Sequence, residues 1–112
     1  MIFLYYQIKN KHNQETEMNQ IAYDNTTPQG TRTIEYMPQG VCSRLIKIEV
    51  DTNRTIMNVA YFMGCSGNTQ GIAALVKGMK VEEAIKRLKG IRCGGKATSC
   101  PDQLAQALKL FL

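Results

Sequence analysis

Ile46, Ile48 and Val50 fall on one side of a short segment, and Lys47, Glu49 and Asp51 fall on the other. That period of two predicts a strand with one buried face. Residues 51–54, Asp-Thr-Asn-Arg, supply turn chemistry, and residues 55–62 return as a second strand, so the two form a hairpin. A turn centred on Thr52 and Asn53 makes paired positions sum to 105, which sets Cys42 opposite Met63, two residues from Cys65. A briefer alternation over residues 33–36 predicts a third strand. Beyond Cys65 the period becomes helical. Ile72, Leu75 and Val76 form one stripe ended by Gly78, and Val81, Ala84, Ile85 and Leu88 form another ended by Gly90. Leu104, Ala107, Leu108 and Phe111 form the last. These elements predict an α+β fold: a small antiparallel sheet of about three strands with three helices mainly on one face.

Residues 9–31 are largely polar, with a turn signal over 25–30, so residues 1–31 are read as a flexible N-terminal extension and 32–112 as the organised domain. The apolar start at residues 1–8 has no preceding basic region and no small-residue cleavage site. It is also shorter than the roughly 20 residues that span a bilayer, so no membrane association and a cytoplasmic location are expected. The net charge of +5 is concentrated in residues 32–112, which carry twelve Lys and Arg against six Asp and Glu.

In a reducing compartment the four cysteines, Cys42, Cys65, Cys93 and Cys100, point to metal ligation or thiol chemistry rather than a disulfide framework. Each falls at an element end, and none lies in an apolar stripe. Ser99 and Asp102 approximate a capping box and Pro101 suits a first turn, so Cys100 opens the last helix, where amide groups and the dipole favour a thiolate. Cys65 sits in Gly64-Cys65-Ser66-Gly67 between a strand and a helix, and Cys93 has Arg92, Gly94, Gly95 and Lys96 around it. A free cysteine is also a small hydrophobe, and that reading competes at each position singly. No C-x-x-C pair is present, so spacing alone does not select a zinc ribbon or a thioredoxin-like motif.

Other chemistry has less support. His12 lies in the expected extension, and Glu82 and Glu83 serve a helix dipole better than acid–base catalysis. The basic run Lys86, Arg87, Lys89 and Arg92 lacks interleaved aromatics, which disfavours a nucleic-acid module.

Thr98-Ser99-Cys100-Pro101-Asp102 spells the motif of the TSCPD domain, and residues 64–68, 88–94 and 102–105 also resemble that family. The resemblance begins near Arg32 and implies kinship with the C-terminal domain of cobalamin-dependent ribonucleoside-diphosphate reductases, and hence a part in deoxynucleotide synthesis. The layout is also similar to the U-type iron–sulfur scaffold family, in which cysteines matching Cys42, Cys65 and Cys100 bind zinc or a nascent cluster. That likeness leaves Cys93 without a counterpart.

Two functions are therefore expected. In the first, Cys42, Cys65, Cys93 and Cys100 bind zinc or an iron–sulfur cluster in a module accessory to ribonucleotide reduction. In the second, Cys93 and Cys100 cycle between dithiol and disulfide to re-reduce a partner. A radical reductase needs a large barrel, so reductase catalysis, and any adenosylcobalamin, would come only through a partner reductase; the expected partner is such a reductase or another redox protein. No residue is assigned a catalytic role outside the Cys93–Cys100 alternative.

Overall fold

A computed structural model describes residues 20–64 and 66–112. Four strands, β1 (Ile21–Thr26), β2 (Arg32–Tyr36), β3 (Leu45–Val50) and β4 (Ile56–Phe62), form one antiparallel sheet in chain order. Three helices follow: α1 (Ser66–Val76), α2 (Val81–Leu88) and α3 (Cys100–Leu108), with a 3-10 turn over Lys109–Phe111. The class is α+β, as expected, with one strand more than the hydrophobic pattern indicated.

The added strand is β1, which lies within the segment read as an extension. Its residues 22–26 are all exposed, so no alternation marks it in the sequence. Pairing with β2 holds it, along with the Arg32–Asp24 ion pair at 2.7 Å and a turn closed by Gly30 N–H donating to Thr27 O. Gly30 has φ +95°, and a Cβ there would strike the Thr52 methyl at 2.2 Å, so glycine is required at this turn. Residues 1–19 of the expected extension lie outside the described residues.

The sheet buries Ile34 and Tyr36 of β2, Ile46, Ile48 and Val50 of β3, and Ile56 and Val59 of β4. Ile72 and Val76 of α1, Val81, Ala84 and Ile85 of α2, and Leu104, Ala107 and Leu108 of α3 pack into the same core. One sheet face is therefore covered while β2 and β3 keep Glu35, Lys47 and Glu49 half-buried on the other. Leu75 is a correction to the predicted stripe: it is 77 % exposed, and Thr69, at a one-turn spacing from Ile72, is the buried residue.

The hairpin register also differs. Arg54 N–H closes the turn onto Asp51 O, but Arg54 itself is left-handed at φ +61°, and a bulge lies between Glu49 and Val50. Each irregularity adds a residue to the β4 side. Val50 faces Ile56, and from Glu49 opposite Asn58 to Leu45 opposite Phe62 the pairs sum to 107 rather than 105. A displacement of two leaves the side chains from Asn58 to Phe62 on their original faces, so hydrophobic alternation there is blind to it, while Ile56, displaced by one, turns into the core.

Candidate functional site

The open end of the β3–β4 hairpin is where the cysteine-bearing segments gather. The ladder ends at Leu45 opposite Phe62, so the expected pairing of Cys42 with Met63 does not form, and Cys65 lies outside the described residues. β4 ends in two left-handed residues, Met63 at φ +68° and Gly64 at φ +103°. Met63 adopts a conformation that costs a side-chain-bearing residue about 1–3 kcal/mol. A Cβ on Gly64 would lie 3.1 Å from the Ser43 backbone nitrogen and Cβ, so the two chain segments touch there.

Ser43 is buried, and its Oγ is 3.4 Å from Cys100 Sγ. One side chain thus joins the neighbour of Cys42 to Cys100, while its backbone abuts the residue before Cys65. Tyr61 completes the surroundings by donating its hydroxyl to Cys100 O at 3.1 Å. Burial, and secondarily negative charge on Cys100, hold that phenol's pKa well above the usual value.

Cys100 occupies the first turn of α3, as expected, with Pro101 beside it in the opening positions. It is 6 % exposed and one helical turn before Leu104, so it does lie on the buried stripe, against the expectation that no cysteine would. Ser99 Oγ accepts the Asp102 N–H at 3.2 Å, which is the predicted cap. The reciprocal half of a capping box is absent from this helix. Asp102 turns instead to the preceding loop, accepting the Gly90 N–H at 2.7 Å and the Thr98 hydroxyl. The loop is drawn tighter still by Ser99 Oγ donating to Ile91 O at 2.6 Å and Cys93 N–H donating to Thr98 O at 3.1 Å. Gln103 links the same motif to the Cys42 loop: its Oε1 accepts the Gln39 N–H and its Nε2 donates to Thr98 Oγ.

Thr98, Ser99 and Asp102 are thus fasteners that set Cys93 and Cys100 on one frame. Ser43, Tyr61 and Gln103 were not singled out from the sequence. Ser43 and Gln103 adjoin cysteine motifs, but their partners lie 57 and 64 residues away in the chain. Only the fold reveals them.

Cys42 and Cys93 are exposed. Cys42 lines a groove of about 570 Å³ between residues 40–42 and 96–98. Gly40, at φ +75°, allows the close approach, since a Cβ there would lie 3.1 Å from the Thr98 methyl. Among the described residues no three Cys, His, Asp or Glu side chains are arranged to hold a metal ion. The donor chemistry nonetheless fits a thiophilic group. The cysteines offer soft sulfur, whereas the Asp102 carboxylate, two residues from Cys100, is already occupied by Gly90 and Thr98. Zinc or an iron–sulfur cluster suits that set better than a hard cation.

No helix of the described residues is long and apolar enough to cross a membrane. No curated protein and no solved structure matches the chain. The TSCPD domain model matches residues 15–112, and so takes in β1 as well as the region from Arg32 onward. With the motif residues placed at the first turn of α3 and nearly all of the chain covered, the protein belongs to the TSCPD domain family.

Proposed function

We infer that this chain is a metal-binding module, accessory to ribonucleotide reduction, in which Cys42, Cys65, Cys93 and Cys100 hold zinc or an iron–sulfur cluster. Ser43 is the observation that carries the reading: it contacts Cys100 Sγ, follows Cys42, and abuts Gly64 just before Cys65. Asp102 and Thr98 would hold Cys93 in reach of Cys100 by fixing the loop between them.

A bound ion would supply a cross-link among three chain segments, so that its binding free energy adds to folding. The residues do the rest. Ser43 Oγ lies 3.4 Å from the Cys100 sulfur, and Arg92 and Lys96, on the loop that carries Cys93, would offset the negative charge of several thiolates. The link to deoxynucleotide synthesis rests on the family resemblance and would operate through a partner reductase carrying any adenosylcobalamin.

Elemental analysis of protein purified anaerobically without a metal-affinity tag tests the reading. Near-stoichiometric zinc or iron is expected, with most of it lost in Cys42→Ser and Cys100→Ser. Wild-type protein with no metal and four reactive thiols, or a Cys100→Ser variant with full metal content, would overturn it.

A second reading is favoured by the contrast between exposed Cys93 and buried Cys100. A Cys93 thiolate would attack a partner disulfide and release one partner thiolate. Cys100 would then displace the second, leaving a Cys93–Cys100 disulfide and a reduced partner. Peptide mapping of oxidised protein decides it: both thiols unpaired under all oxidising conditions would exclude the cycle.

A further inference from the structure

Residues 84–101 carry Lys86, Arg87, Lys89, Arg92 and Lys96 and not one acidic residue. Two of these cations are answered nearby. Arg87 pairs with Glu83 at 2.6 Å, and Lys86 also helps to hold the Glu83 carboxyl below its usual pKa. Lys89, Arg92 and Lys96 are exposed and form no ion pair among the described residues. Asp102, whose charge could have neutralised them, is turned inward on Gly90 and Thr98 and is only 7 % exposed.

The loop that displays these cations is held rather than loose. Gly90, Ile91, Cys93 and Thr98 are all tied by hydrogen bonds, and Lys96 N–H closes a turn onto Cys93 O. A four-residue turn of this kind keeps its end Cα atoms within about 7 Å, so Lys96 and Arg92 flank exposed Cys93. Next to it runs the groove of about 570 Å³ whose walls include Val41 and Ala97, with Lys96 at its border. Ile91 adds apolar surface, being 42 % exposed.

From this juxtaposition we propose that the loop over residues 89–97, together with the adjoining groove, is a docking face for an acidic, partly apolar segment of a partner protein. Carboxylates of the segment meet Lys89, Arg92 and Lys96, and an apolar side chain enters between Val41 and Ala97. Cations fixed on a frame steer and orient an oppositely charged partner. A nucleic acid fits less well, because residues 77–110 contain no aromatic side chain on which bases could stack. The proposal goes beyond metal binding and stands on charge and shape alone.

The test uses full-length protein as purified, with metal content measured on the same sample so that failure of docking is separable from failure of metal binding. A labelled short glutamate–leucine peptide is titrated by anisotropy, with an oligothymidylate of equal length in parallel, and amide shifts are mapped by NMR. The peptide is expected to bind the more tightly at equal salt and to move residues 40–42 and 91–97. The Lys89→Glu/Arg92→Glu/Lys96→Glu variant should weaken it at least about tenfold, while Lys77→Glu/Lys109→Glu should change it less than about twofold. All five positions are exposed, and thermal unfolding of each variant verifies the fold. No peptide binding, equal weakening in both variants, tighter oligothymidylate binding, or shifts confined to other surfaces would each overturn the proposal.

Discussion

Replacing Asp102 by alanine should loosen the cysteine frame even when no metal is bound. The carboxylate accepts the Gly90 N–H at 2.7 Å and the Thr98 hydroxyl, and the residue is 7 % exposed. Hydrogen bonds to a charged group are worth about 1.5–3 kcal/mol each, so losing both costs roughly 3–6 kcal/mol before relaxation. Water admitted to the smaller side chain's space recovers part of this, leaving about 3 kcal/mol. In a domain of this size each kcal/mol moves Tm by about 4–8 °C, so the midpoint should fall by about 12 °C or more. Asp102→Asn should fall between: it keeps an acceptor for Gly90 but offers a donor to Thr98 Oγ, which already accepts from Gln103. The assay is thermal unfolding of chelator-treated wild type and variants, with amide exchange at Gly90 as the local readout. A Tm for Asp102→Ala within about 3 °C of wild type, or unchanged exchange at Gly90, would refute the role of Asp102 as the fastener of this loop.

Other consequences are as specific. Gly64→Ala puts a Cβ 3.1 Å from the Ser43 backbone at a φ of +103°, and should cost about 1–3 kcal/mol in chemical denaturation; a neutral result would show that the two segments do not pack as described. Burial raises the Tyr61 pKa above the model-compound value of 10.0, so the unfolded chain gives up this proton first as pH rises. The folded state's advantage is therefore complete below about pH 10 and declines above it, and Tyr61→Phe should flatten that alkaline loss; an unchanged alkaline limb would contradict it. Leu75→Gln, at a side chain 77 % exposed, should alter stability by less than about 0.5 kcal/mol, whereas Ile72→Ala should cost about 2–4 kcal/mol in the same denaturation series. Equal effects would mean that the face of α1 has been assigned wrongly.

Hydrophobic spacing carried most of the fold, and it failed for identifiable reasons. Strands β2, β3 and β4 and the three helices have one apolar side each, so their periods show in the residues. β1 is an edge strand exposed from residue 22 to residue 26, held by pairing that leaves no trace in side-chain character. The hairpin register was displaced by a left-handed Arg54 and a bulge, whose one-residue shifts add to two and so leave the alternation beyond the bulge as it was. At the site, the Ser99 cap and the first-turn position of Cys100 follow from local chemistry. The contact of Ser43 with Cys100 and the inward turn of Asp102 are long-range or competing choices. Asp102 could have answered Ser99, but two donors in the preceding loop satisfied it better.

The proposed function stands on sulfur atoms from separate loops sharing one metal. X-ray absorption at the zinc and iron edges, on protein purified anaerobically without a metal-affinity tag, addresses it most directly. A first shell of about four sulfur atoms is expected, near 2.3 Å for zinc. In Cys42→Ser and Cys100→Ser the sulfur shell should shrink or the metal should be lost. A shell dominated by oxygen or nitrogen, or a sulfur shell unaltered by either substitution, would contradict it.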